Sequence, residues 1–79
     1  MPYNRRMIEP IYTQIGERIA TVRKAKGMTL EQLAKEVGIG RSMMGHIEAG
    51  RSRLMIHQLE KIAVALKKSP TFFLKVDRS

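Results

Sequence analysis

Arg41, Arg51 and Arg53 are the residues of this chain best equipped to act on a partner. They stand in the stretch "GIGRSMMGHIEAGRSR", residues 38–53, which holds a single acid, Glu48. A guanidinium presents a planar fork of donors that fits phosphate oxygens and also the O6/N7 edge of guanine. Ser42, Ser52 and His46 add smaller donors and acceptors. Bond-making chemistry lacks its parts. His46 and His57 have no cysteine, serine or carboxylate partner at a spacing that suits a catalytic constellation. Two histidines eleven residues apart, in a chain without cysteine, are poor evidence for a metal site. The glycines do not form a phosphate-binding loop after a strand. The sequence therefore predicts no enzyme, no metal, no cofactor and no small-molecule ligand.

The whole chain shares the sign of that stretch. Its 79 residues carry 15 Lys and Arg against 7 Asp and Glu, a net charge of +8. Such a field suits a polyanion, either nucleic acid or an anionic membrane surface, although a merely soluble cationic surface would carry the same charge. No run of about 18 apolar residues is present to span a bilayer. The start, "MPYNRRMIEP", has two arginines but no apolar segment, so it does not read as a secretory signal. We read residues 1–9 as a partly ordered basic arm, 10–76 as one domain and 77–79 as a tail. Without cysteine the chain has no disulfide, which fits a reducing, cytoplasmic setting. Helix packing, with or without a second subunit, must then stabilise a small core.

The elements that position the arginines are helical. Ile11, Ile15, Ile19 and Val22 repeat at i, i+4, i+8 and i+11, predicting a first helix from about Pro10 to Lys26 that Gly27 caps. Proline at its first position would lose no hydrogen bond. "TLEQLAKEVG" opens on a capping box, Thr29 with Gln32, and places Leu30, Leu33, Ala34 and Val37 on one face before Gly38 ends the helix. The third helix covers about Arg41 to Ala49, with Met44 and Ile47 on one side and Arg41, Ser42, Gly45 and His46 on the other. A fourth, about Met55 to Lys67, carries the stripe Ile56, Leu59, Ile62, Ala63 and Leu66, with His57 on its exposed side. Ser69-Pro70 opens a last short helix holding Phe72, Phe73 and Leu74. The fold class is all-α, a compact five-helix bundle.

Two short helices joined by "GIG" need a tight bend, a small residue at their contact and apolar facing sides. Gly38, Ala34 and the set Leu33, Val37, Ile39, Met44 and Ile47 supply these, so the second and third helices form a helix-turn-helix. With that spacing in place, "IGERIATVRKAKGMTLEQLAKEVGIGRSMMGHIEAGRSRLMIHQLEKIAVALKKSPTFFL" resembles the Xre, or lambda/434 Cro-and-repressor-like, helix-turn-helix family. The likeness covers about Ile15 to Leu74. It implies a five-helix DNA-binding domain that works as a dimer on a palindromic operator, in a bacterial or phage-encoded setting. Relatives of this family are the standard example of such docking.

The resemblance also assigns roles. Positions that read base edges fall on Gly40, Arg41, Ser42, Gly45 and His46, Arg41 being the best specific reader because it can bond guanine twice. Gly45 stands where the family has a longer side chain; either it lets the helix sink deeper into the groove, or it is drift or a flexible helix that sets on binding. Phosphate contacts fall on Arg51, Ser52 and Arg53, and charge-assisted donors there would neutralise backbone without reading sequence. Thr29 and Gln32 can also meet a phosphate, though capping is their simpler role. Glu48 is expected to pair with Arg23 as a structural ion pair. Where the family has proline and then serine or threonine before the fourth helix, this chain has Leu54 and Met55, a weaker cap and an apolar pair.

The expected partners are double-stranded DNA and a second copy of the chain, with no membrane. A recognition helix of nine residues touches too few base pairs to select one genomic site, hence the homodimer. Phe72, Phe73, Leu74 and Val76, with the exposed side of the fourth helix, form the expected dimer interface; the alternative puts the phenylalanines in the core. A rival function is an antitoxin that binds a toxin and autoregulates its operon. A membrane-surface binder would leave an apolar helix face uncovered, whereas here the stripes can cover one another.

Overall fold

The computed structural model describes the backbone of residues 5–75 and the side chains of residues 11–75. The expectations for residues 1–4, Val76 and the tail, and for the side chains of Arg5 and Arg6, lie outside the described residues. Five helices and no strand occur among the described residues: α1 Arg5–Ala25, α2 Leu30–Val37, α3 Arg41–Glu48, α4 Ile56–Leu66 and α5 Pro70–Phe73. Four of the five helices, α2 to α5, lie within a residue or two of the sequence reading. The first helix does not. It starts at Arg5, ahead of Pro10, which sits in the second turn. Proline there cannot donate to the carbonyl of residue 6. It favours a helix start without defining one, and the later turns of α1 are held by the core.

Thirteen buried apolar residues form that core. Ile15, Ile19 and Val22 of α1, Leu33, Ala34 and Val37 of α2, and Met44 and Ile47 of α3 meet Leu59, Ile62, Ala63 and Leu66 of α4. Phe73 of α5 closes it, fully buried. Two residues of the expected stripes stay outside: Ile11 at the near end of α1's stripe, and Ile56, 79% exposed, at the first position of α4. Together they line a groove with Leu54, Leu59, Pro70 and Leu74.

Local chemistry sets the turns. Gln32 N–H donates to Thr29 Oγ1 at 3.0 Å and Thr29 N–H donates to Gln32 Oε1 at 2.8 Å, the reciprocal capping box. Gly38, at φ 85°, adopts the left-handed conformation that closes α2 and bends the chain into α3. At the start of α4, Met55 N–H donates to Gln58 Oε1 at 3.1 Å, so half a capping box replaces the missing serine or threonine. Leu54 packs half-buried on the core, while Met55 stays exposed.

Candidate nucleic-acid interface

Helix α3 is held to the scaffold by its inner side and its C-terminal end. Met44 and Ile47 are buried. Arg23, itself buried, donates from Nε to Glu48 Oε2 at 2.7 Å and from Nη2 to Glu48 Oε1 at 2.9 Å. Its remaining nitrogen, Nη1, donates to the Met28 carbonyl at 2.9 Å. One guanidinium thus ties α3 to the turn between α1 and α2. The hydrogen bonds to Glu48 raise the pKa of Arg23 above its ordinary value; burial opposes them, and the carboxylate charge adds to them. Both carboxylate oxygens of Glu48 are thereby engaged by Arg23, and only 10% of its side chain is exposed.

Backbone fit at the same end is closer than sequence reasoning anticipated. A Cβ on Gly16, midway along α1, would stand 2.4 Å from the carbonyl oxygens of both Ile47 and Glu48. A Cβ on Gly50, at φ 74°, would stand 2.6 Å from the Cα of Thr13. α3 therefore ends in direct backbone contact with α1. A glycine inside an otherwise periodic helix was the available signal for Gly16, since it forgoes about 1 kcal/mol of helix propensity relative to alanine.

The outward side of α3 carries the expected readers. Gly40, Arg41, Ser42 and His46 are all exposed. Gly40 caps α3 without any side-chain hydrogen bond, and the first helical donation comes from Met44 to the Gly40 carbonyl at 3.1 Å. The N–H groups of the first turn are left free to meet an anion. Gly45 is half-buried at the edge of this side. A methyl group there would make an ordinary contact, 3.5 Å, with Leu30 Cδ2, so the fold itself does not demand glycine.

The loop after α3 lies beside these residues. Arg51 and Arg53 are exposed, and Ser52 is half-buried with its Oγ 3.7 Å from Met43 Sδ. Met43, which the sequence reading left without a role, is itself exposed and rests against this loop. Thr29 and Gln32 are exposed at the start of α2, each already engaged in the capping box.

The expected dimer interface needs correction at Phe73. Its ring is fully buried in the chain's own core, because the single turn of α5 points it between α1 and α4. Phe72 is half-buried, packed edge-on to Phe73 with ring centroids 5.2 Å apart and covered by Lys68 Nζ at 4.9 Å. Arg18 of α1 donates to the carbonyls of Phe72 and Lys75, tying α5 down. Leu74 alone of the three projects, 51% exposed, into the groove with Ile11, Leu54 and Ile56.

Similar proteins have the same architecture. The family model HTH_3, helix-turn-helix, matches residues 19–73. An uncharacterised HTH-type transcriptional regulator of Rickettsia prowazekii is 29% identical over 69 residues, 87% of this chain and 53% of the relative. The chain thus spans about half the length of the curated relatives it matches. The restriction-modification controller protein C.AhdI from Aeromonas hydrophila is 32% identical, with a TM-score of 0.76 over 78% of this chain and 94% of that one. The biofilm regulator SinR, of Bacillus subtilis, in a structure with DNA, is 35% identical, with a TM-score of 0.73 over 77% of this chain and 98% of that one. No helix among the described residues is long and apolar enough to cross a membrane.

Proposed function

Because the chain belongs to the HTH_3 family of helix-turn-helix transcriptional regulators, we propose that it binds duplex DNA sequence-specifically and regulates transcription. α3 enters the major groove with Arg41, Ser42 and His46 toward base edges. Arg51, Arg53 and the free N–H groups of α3 take phosphates on either side. One observation carries this reading: the exposed donors of α3 sit on a helix that Arg23 and Glu48 lock to α1. A locked helix presents its donors without losing further backbone entropy on binding, which leaves only side-chain ordering to offset.

A palindromic operator and a homodimer complete the proposal. α3 has eight residues, which limits one copy to a few base pairs. Two copies related by a two-fold axis would read half-sites about 34 Å apart, one turn of duplex. The apolar groove of Ile11, Leu54, Ile56 and Leu74 replaces the phenylalanines as the surface that pairs them. Isolated exposed apolar residues are ordinary, but a contiguous set of this kind marks an association surface. Whether the bound protein represses or activates follows from where its site lies relative to a promoter.

Titration of the chain with mixed and selected duplexes at rising salt tests the reading. Affinity should fall by orders of magnitude between about 50 and 200 mM salt as counterions are released. A flat response refutes the electrostatic basis. Protection of a single half-site by a monomer refutes the homodimer.

A further inference from the structure

One hollow lies apart from the face of α3. It is walled by Lys26 after α1, Lys35 on α2 and Lys67 after α4, with Gln32 and Glu36 beside them. The three lysines come from distant parts of the chain and are all exposed. Each stands at or near a helix C-terminus, where a cation offsets the carbonyl dipole. That explains a positive charge at each place. It does not explain Lys67, whose backbone is left-handed at φ 57° and ψ 43°. Lys67 is the only non-glycine residue with positive φ among the described residues; Gly27, Gly38 and Gly50 hold the others. Glycine at residue 67 would relieve that strain and forfeit the cation.

We propose that this hollow is a second DNA-contacting surface, which takes backbone phosphates of the duplex flanking the half-site under α3. The inference rests on the DNA-binding reading above and extends it. Charge selects the occupant, because three cations against the single carboxylate of Glu36 favour a polyanion. Continuity places it on DNA: Gln32, in the first turn of α2, belongs both to this hollow and to the expected phosphate contacts of the helix-turn-helix. A duplex that runs past α3 and across the start of α2 meets the lysines next. Such contacts add affinity without reading sequence.

The test uses the full chain and a site selected from random duplexes. One duplex keeps about ten base pairs of flank on each side, about one helical turn; the other is trimmed flush to the protected bases. The unaltered chain should bind the flanked duplex more tightly and with a steeper salt dependence. The combined variant Lys26→Gln, Lys35→Gln, Lys67→Gly should lose that difference. Its log–log salt slope on the flanked duplex should fall by about two to three, at about 0.9 per phosphate, with the trimmed duplex unaffected. Lys67→Gly alone should melt at a higher temperature yet bind the flanked duplex more weakly, an opposition that a purely structural lysine would not produce. Equal losses on both duplexes, or no loss on either, overturn the proposal while leaving the recognition by α3 intact. Failure of the unaltered chain to bind any duplex overturns the DNA-binding reading, and this one with it.

Discussion

Two glycines inside helices, Gly16 and Gly45, should respond in opposite directions to the same added methyl group. Replacing glycine by alanine in a helix interior gains about 1 kcal/mol in propensity at either position. The surroundings then decide the sign. At Gly45 the new Cβ meets only Leu30 Cδ2 at 3.5 Å, a normal contact, so Gly45→Ala should stabilise by about 1 kcal/mol. At Gly16 it would lie 2.4 Å from two backbone carbonyl oxygens, Ile47 and Glu48, and 2.8 Å from the Glu48 carbonyl carbon. Relief requires the end of α3 to retreat by about 1 Å to restore ordinary contact. That movement strains the 2.7 and 2.9 Å bonds between Arg23 and Glu48. Overpacking of this kind costs about 1–3 kcal/mol, and weakening a largely buried ion pair adds to it. After subtracting the propensity gain, Gly16→Ala should lose about 2–3 kcal/mol, a large share of the ~4–12 kcal/mol expected for a domain this size. Since 1 kcal/mol shifts the melting temperature by about 4–8 °C, thermal unfolding followed by circular dichroism should place the two variants about 12–32 °C apart on opposite sides of the parent. If both move the same way, the tight contact of α1 with α3 does not govern stability and the argument fails. Duplex binding by Gly45→Ala distinguishes the readings of that glycine: weaker binding by the more stable variant supports close approach to the groove, and unchanged binding supports drift.

Arg41→Ala should cost about 1–3 kcal/mol on the selected site and relax preference at one base position per half-site, whereas Arg53→Ala should weaken all sequences alike and lower the salt slope by about one; competition binding over a set of single-base variants checks both. Phe73→Ala should destabilise the fold by about 3–5 kcal/mol in denaturant unfolding, because its ring is wholly enclosed. The pair Ile56→Lys and Leu74→Asp should leave the melting temperature within a few degrees, since both side chains are exposed, and yield monomers in sedimentation. Arg23→Met should cost about 3–5 kcal/mol in the same unfolding assay by leaving Glu48 enclosed without its partner.

Features that depend on neighbours along the chain were legible in the amino-acid sequence. Thr29 and Gln32 cap α2 because an N-cap and its third residue always lie one turn apart, and Gly38 bends the chain because glycine takes a left-handed conformation without strain. The 3.6-residue stripe placed Ile15, Ile19, Leu33, Val37, Met44 and Ile47 inward, which set Arg41, Ser42 and His46 outward on the same helix. Pairing Arg23 with Glu48 needed the family likeness, since no local rule joins residues so far apart.

Tertiary packing decided the rest. A stripe gives the direction of an inward face but not how far along it neighbours pack, so Ile56 and Ile11 kept the right phase and still stayed outside the core. Among Phe72, Phe73 and Leu74, period alone could not select which enters the core, because a single turn of helix has no repeat; the space between α1 and α4 accepted Phe73 and left Leu74 outside. Gly16 acquires its role only when α3 arrives against it, and Lys26, Lys35 and Lys67 become one hollow only when three helices end side by side. Hydrogen-bonding rules and helical period act over a turn or two of chain and can be read from it, whereas enclosure is a property of volume, which exists only once the helices have packed.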